Sequence, residues 1–492
     1  MGERSIRIAF KPTPWRRDEQ GPRYALLKNF SAAGGNTTLL LEDPPFGTAA
    51  QRAGDLPSVF PVNMSAKTSS ALQANIRSLL NFIRENPGLD LPSLSYTTTA
   101  RRMHHSHRLA LRVGSMNELE SRLTAVLQSD SVGQTSKLQL SVSFVFTGQG
   151  GHYTGVGCEL YRTNSFFRTT TKQHDRSSKL LGFASILPII RGDNAEDTSS
   201  HEAEASQLAH TILQMCLVRL WRSWGVVPSS VMGHSLGHYA ALNAAGILSD
   251  ADTLLAVGTR ARILQAKCEP GTHCMISVRA SKALVESYID QGKNIDIACI
   301  NGLQDIIVSG KQTDIHALRE RLSEHQIRST VLETQFAFHS SQVDSVLAEF
   351  KDAVEGIHFR PAQIPIIYAG DQTETNITLE ADHLVRHMRE TVDFESALRD
   401  ATAKGTIDHR THFVEVGHNA TLTSIAKRIL GSTTKIVPSL KKNISNWTSV
   451  TECATWLYEA GVNMDWDAWH RDYTASLQVL RLPRYSWDLE NY

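Results

Sequence analysis

The residues Gly233-His234-Ser235-Leu236-Gly237 fit the pattern G-x-S-x-G, set between a strand-like run at 230–232 and a helix-like run at 236–245. Two glycines permit a strained strand-to-helix turn that pushes a serine hydroxyl out above a sheet. The Leu236 N–H then lies at a helix N-terminus, where it can stabilise an oxyanion. The chemistry this suggests is attack by a serine on an acyl carbon. The same five letters also fit a glycine-rich turn around a buried serine; the flanking strand and helix favour the nucleophile. A serine nucleophile needs a base, and the chain offers 20 histidines. His339 stands out because it closes the apolar stretch Gln335-Phe336-Ala337-Phe338. Spacing alone does not separate it from a histidine packed in a core or on a surface.

The elements that would carry these residues read as α/β. A buried-strand run at 140–146 ends in the turn Gly148-Gln149-Gly150-Gly151. Leu208, Ile212, Cys216, Leu220 and Trp224 recur every fourth residue, the stripe of a core-facing helix. Between about 273 and 333 the order β-α-β-β-α-β suggests a ferredoxin-like insert. Upstream, 60–128 reads as a small α+β module: a helix with Leu72, Ile76, Leu79, Leu80 and Ile83 at helical spacing, capped by Ser69 or Ser70. LSYTTTARR and HRLALRVGS read there as strands and MNELESRLTAVLQ as a second helix. The Ser- and Gly-rich 129–137 reads as a linker. The stretch 24–44 is strand-like and cannot bury its faces alone. The last ~50 residues read as an extended strap.

Composition narrows the function classes. The 492 residues are 41% hydrophobic and 20% charged, ordinary globular values that exclude wholesale disorder and collagen-like repeats. At this length roughly two to four folding units are expected. Lys plus Arg and Asp plus Glu both total 50, which argues against a dedicated nucleic-acid or membrane-surface binder. No apolar run approaches the ~20 residues of a membrane span, and the first residues lack the apolar core of a signal peptide. Six cysteines are scattered without a CxxC pair. They read as free buried thiols in a reducing cytoplasm, with no metal cluster.

Short motifs then fall in a telling order: FVFTGQG at 144–150, GHSLGHYAALNAAGILS from Gly233, TRARILQ at 259–265, INGLQDIIVSG at 300–310, FAFHSSQVD at 336–344 and VEVGHNATLTSI at 414–425. In this the chain resembles the malonyl-CoA:acyl-carrier-protein acyltransferase domains of fungal non-reducing iterative polyketide synthases. The flanks resemble a ketosynthase end at 1–48, a ketosynthase–acyltransferase linker at 49–137 and a post-acyltransferase linker at 441–492, around an acyltransferase domain at 138–440. The resemblance implies an α/β-hydrolase-like core with an inserted ferredoxin-like subdomain. It also implies a piece of a larger synthase, with Met1 an added start and, without the dimerising ketosynthase body, a monomer.

Carried over residue by residue, the resemblance makes Ser235 the nucleophile and His339 the general base, with the main-chain N–H groups of Gln149 and Leu236 as the oxyanion hole. Arg260 matches the arginine that grips the free carboxylate of the extender unit. A guanidinium suits that task because it binds a carboxylate bidentately and stays charged when partly buried. Arg262, two residues on, reads as an exposed helix charge. Asp393 matches the segment whose main-chain carbonyl orients the histidine. Asn301 matches an asparagine near the pocket, although a turn-forming Asn-Gly accounts for it equally well. Phe338 sits in an FAFH stretch similar to that of malonyl-selective relatives. Two positions depart from the family pattern: His238 replaces a glutamate and His152 a glutamine.

The activity the resemblance implies is acyl transfer from malonyl-CoA, through malonyl-Ser235, to the phosphopantetheine of a carrier protein. The partners implied are the carrier and ketosynthase domains of the same synthase, with no cofactor, metal, nucleic acid or membrane. A serine hydrolase of the esterase class shares the elbow, but the spacing of Arg260 favours transfer. A non-catalytic scaffold fits poorly with Ser235, His339 and Arg260 all intact.

Overall fold

The computed structural model describes residues 10–11, 23–42, 56–129, 133–135, 140–150, 153–193, 203–290, 292–370, 379–474 and 477–488. The chain divides into two compact units, residues 1–51 with 475–477 and residues 52–474 with 478–492. The described part of the first contains an antiparallel hairpin of Tyr24–Phe30 and Asn36–Glu42, turned at Gly34. Leu26, Leu27, Leu39, Leu40 and Leu41 are exposed on it.

The second unit is built on a five-stranded parallel sheet. Its order is Ile366–Ile367, Ser230–Gly233, Ser141–Phe146, Thr411–Val416, Ile436–Pro438. A parallel strand covered by helices on both faces reads as a continuous apolar run, and VSFVF at the sheet centre is buried throughout. The 21-residue helix Ala203–Ser223 carries the four-residue stripe. It is also buried at Gln207, Thr211 and Gln214, so it lies inside the unit rather than on its surface. Trp221, Trp224, Trp447 and Trp469 pack ring against ring, with Trp224 and Trp469 centroids 4.3 Å apart.

The insert forms a second sheet in the order Ser329–Leu332, His273–Val278, Ile306–Lys311, Ile295–Ile300, antiparallel throughout. That is strand order 4-1-3-2 of a β-α-β-β-α-β unit, with helices Lys282–Ser287 and Gln312–Glu324 and a core of its own around Ile276, Val308 and Leu318. A fifth strand, Val392–Asp393, joins it parallel to Ile295–Ile300 and so bonds the insert to the body.

In the upstream module, Phe60–Ala66, His107–Val113 and Gln134–Thr135 make a three-stranded sheet. Part of the Ser/Gly-rich linker therefore serves as an edge strand. LSYTTTARR is not a strand: Leu91–Ala100 is a helix. The Asp90 carboxylate caps it by accepting from the Ser93 N–H at 2.8 Å, and Thr97 and Thr99 hydroxyls bond carbonyls four residues back. It is buried nearly all round, so no helical stripe marks it. The cap of helix Ser69–Glu85 is Thr68, not Ser69 or Ser70. The last ~50 residues are also only partly a strap, because Asn446–Ala460 is a buried helix with the short helix Trp466–Trp469 after it. Extended chain returns at 478–488, where Gln478 and Leu480 bond Ser93 and Thr97, and Ser486 bonds Asn75. No helix among the described residues is long and apolar enough to cross a membrane.

Candidate active site

Ser235 sits on a turn that only glycine neighbours allow. Its own φ is +48°, in the left-handed region that non-glycine residues occupy at a cost of about 1–3 kcal/mol. A Cβ on Gly233 would lie 2.3 Å from the His238 Cα, and one on Gly237 2.4 Å from the Phe146 carbonyl oxygen. The chain thus turns from buried strand Ser230–Gly233 into helix Gly237–Ala244 with the serine at the apex. The loop bearing Gln149 presses on this turn: a Cβ on Gly148 would lie 3.2 Å from the Ser235 Cβ. Gln214 of the central helix fixes the loop by donating to the Thr147 carbonyl at 2.8 Å and the Val416 carbonyl at 3.1 Å. Among the described residues, neither the Leu236 nor the Gln149 main-chain N–H donates to a main-chain carbonyl.

The Ser235 hydroxyl meets His339 Nε2 at 2.8 Å. His339 also has a left-handed backbone, φ +57°, which turns its ring from the apolar run toward the serine. Its Nδ1–H donates to the Glu390 carbonyl at 2.8 Å. A carbonyl only accepts, so the proton belongs on Nδ1 and Nε2 keeps the lone pair a base needs. Burial, then the positive charge of Arg260, pushes the His339 pKa down to about 3, against the opposing pull of the Glu390 carbonyl. The imidazole is neutral at pH 7.

The carbonyl that orients the histidine is therefore not that of Asp393. Val392–Asp393 is an edge strand; the Asp393 N–H donates to the Ala369 carbonyl, and its carboxylate caps helix Phe394–Ala403 through the Ser396 N–H at 2.9 Å. Glu390, three residues earlier, is the C-cap of helix Ala381–Arg389. The last carbonyls of a helix lack intrahelical partners, and this one is turned to the imidazole.

Arg260 is buried at 2% exposure on helix Asp250–Lys267. Its guanidinium bonds the Gln207 side-chain oxygen and lies 5.0 Å from the centroid of the Phe338 ring. No carboxylate among the described residues pairs with it, and burial lowers its pKa. Arg262 is exposed and pairs with Glu204 at 2.7 Å. Asn301 accepts from the His234 Nε2–H at 2.8 Å, while its own N–H closes a turn onto the Asp305 carbonyl. It is at once a turn residue and a brace for the nucleophile's neighbour. Ser235, His339, Gln149, Asn301 and Phe338 all line one cleft of about 670 Å³ between the parallel sheet and the insert. Arg260 does not line it; the Phe338 ring, over which its guanidinium lies, does. His152 lies outside the described residues.

The Acyl transferase domain family model matches residues 143–463. The chain belongs to that family. A second family, CurL-like PKS C-terminal, matches residues 62–123 of the upstream module. The non-reducing polyketide synthase terA of Aspergillus terreus is 39% identical across the whole chain, which spans 24% of that synthase's length. Two solved structures share the fold. The acyltransferase domain from module 8 of the salinomycin polyketide synthase has a TM-score of 0.73 at 24% identity, over 84% of this chain and 98% of its own. The SpnD acyltransferase domain, solved in complex with 2-(pent-4-yn-1-yl)malonyl, has a TM-score of 0.69 at 25% identity, over 84% and 97%.

Sequence reasoning missed several residues at this acyltransferase domain's site. Glu390 carries no side-chain signal, because its part is played by a main-chain oxygen. Arg279 and Arg428 line the cleft and share Asp305, Arg279 at 3.0 Å. They come from separate elements, so only the fold joins them. Among the described residues no cluster of His, Cys, Asp and Glu could hold a metal ion.

Proposed function

We propose that this acyltransferase domain moves a malonyl unit from malonyl-CoA to the phosphopantetheine thiol of a carrier protein, supplying extender units to a polyketide synthase. The observation that carries the reading is Arg260, a buried cation with no carboxylate partner among the described residues, set against Phe338 beside the Ser235–His339 pair. An uncompensated buried charge is costly, and a substrate carboxylate would compensate it. The SpnD domain's malonyl-type ligand fits the same reading.

The reaction runs in two matched halves. The Ser235 proton passes to His339 Nε2 as Oγ bonds to the thioester carbon, and the carbonyl oxygen becomes an oxyanion facing the Leu236 and Gln149 N–H groups. Collapse breaks the C–S bond, and the departing CoA sulfur takes the proton from Nε2, leaving malonyl-Ser235. In the second half the carrier thiol gives its proton to His339 while sulfur attacks the ester; Ser235 Oγ leaves and recovers the proton. A neutral His339 is needed at the start of each half. When the malonyl carboxylate pairs with Arg260, one of the two main causes depressing His339 is cancelled, so the substrate strengthens its own base.

The test is to follow labelled malonyl-CoA with and without a phosphopantetheinylated carrier. Without carrier, CoA release should stop near one equivalent per chain, and with carrier the label should move to its thiol. Steady accumulation of free malonate without carrier would instead identify a hydrolase.

A further inference from the structure

Behind the nucleophile helix lies a cluster of rings that the two-residue chemistry does not use. We infer that His238, His383 and His387 form a clamp that holds the Glu390 carbonyl on His339, so that His238, where the family pattern has glutamate, is a positioning residue for the base. This rests on the Ser235–His339 assignment above.

His238 is the second residue of helix Gly237–Ala244 and so moves with the nucleophile. Its Nε2 meets His383 Nε2 at 2.8 Å, and its ring stacks on that of His387 with centroids 4.5 Å apart and planes 28° from parallel. His383 and His387 lie four residues apart on helix Ala381–Arg389 and therefore share a face. That helix ends in Glu390. The His387 ring also stands edge-on to His339 at 6.0 Å, and Tyr368 packs on His238 and His383 at 5.4 and 4.9 Å. On the far side, Arg389 pairs with Asp344 at 2.6 Å and Asp296 at 3.0 Å. The Glu390 carbonyl is thus held between the ion pairs of Arg389 and the three imidazoles, and the imidazoles tie it to helix Gly237–Ala244, which begins two residues after Ser235.

Packing alone does not account for the cluster. All three rings are buried, and the Nδ1 atom of each has no hydrogen-bond partner among the described residues. Apolar side chains would fill the same space without that loss. What leucine or phenylalanine could not supply is the Nε2-to-Nε2 bond between the two helices. One imidazole must donate and the other accept, which fixes their separation and angle.

The test compares His383→Phe, which keeps a ring but loses the bond, with His383→Gln, which can bond His238 again. His383→Phe should lower kcat for malonyl loading about ten- to a hundred-fold, with KM for malonyl-CoA changed less than about two-fold; His383→Gln should recover most of kcat. In the wild-type protein the His339 Nδ1–H should give a downfield proton signal, assigned by its loss in His339→Ala. That signal should broaden or move in His383→Phe. An unchanged kcat and signal, or equal kcat in the Phe and Gln variants with only a lower melting temperature, would overturn the clamp. If His383→Phe does not fold, His383→Met replaces it under the same two readouts. Full-rate loading by His339→Ala would be a different failure, that of the base assignment itself.

Discussion

At the scale of single residues, choice of the acyl group turns on a charge. Arg260 carries its guanidinium charge beside Phe338 with, among the described residues, only a neutral amide oxygen bonded to it. A charge-assisted bond to a carboxylate is worth about 1.5–3 kcal/mol, or about ten- to more than a hundred-fold in rate. Arg260→Ala should therefore reduce kcat/KM for malonyl-CoA by that factor and leave acetyl-CoA, which has no carboxylate, much less affected. Parallel loading assays with the two thioesters check this; equal losses would make Arg260 a structural residue. Ser235 was legible from its own motif, whereas His339 and Arg260 were assigned their roles only through the family resemblance; the fold brings Ser235 and His339 within 2.8 Å. Glu390 was not legible, since a main-chain carbonyl leaves no mark on residue type, and the nearby Asp393 drew the expectation because its segment aligned.

Elements were readable where burial is one-sided. The helix Met116–Gln128 and the strand His107–Val113 show their period in sequence because one face is wet. Leu91–Ala100 misled because its Ser and Thr residues look like a strand, and burial on all sides erased the helical stripe. The elbow was the clearest element, and its glycines are sterically required. Gly237→Ala would place a Cβ 2.4 Å from the Phe146 oxygen and 2.6 Å from the Thr147 oxygen, both main-chain atoms that cannot swing aside. We expect it to cost about 1–3 kcal/mol of stability and to lower malonyl loading at least about ten-fold. Gly356→Ala, with nothing within 4 Å of the added Cβ, is the control and should change neither. Chemical denaturation and loading assays on the two variants decide it. A Gly237→Ala variant as stable and active as the control would mean the turn is looser than described.

Across the whole molecule, burial of neutral histidines sets the response to acid. His174, His383 and His418 are pushed down to about 4 and His339 and His470 to about 3, with burial the leading cause in each. His238 and His387 are likewise held well down, again chiefly by burial. Each folded-state value lies below the ordinary value of about 6.5, so the unfolded chain binds protons that the fold refuses. Their contribution to stability is complete above about pH 6.5 and is lost as pH falls toward 4, at up to about 1.4 kcal/mol per pH unit for each. Glu415, raised to about 7 by burial, and Glu459, also raised by burial, oppose this as two groups against seven histidines. The melting temperature should fall between pH 7.5 and 5, and a flat or rising profile would contradict the buried-neutral assignment. None of this was visible in the sequence, where 20 histidines are only a count. The α/β alternation, the insert and the elbow could be anticipated from period and motif, but the environment of each imidazole is a product of packing.

The central claim, a malonyl ester on Ser235 formed with His339 as base, is tested most directly by intact-protein mass spectrometry after brief exposure to malonyl-CoA. The wild-type chain should gain one malonyl group, mapped to the peptide containing Ser235, and Ser235→Ala should gain none. A malonyl increment on Ser235→Ala, or none on the wild type, would contradict the account.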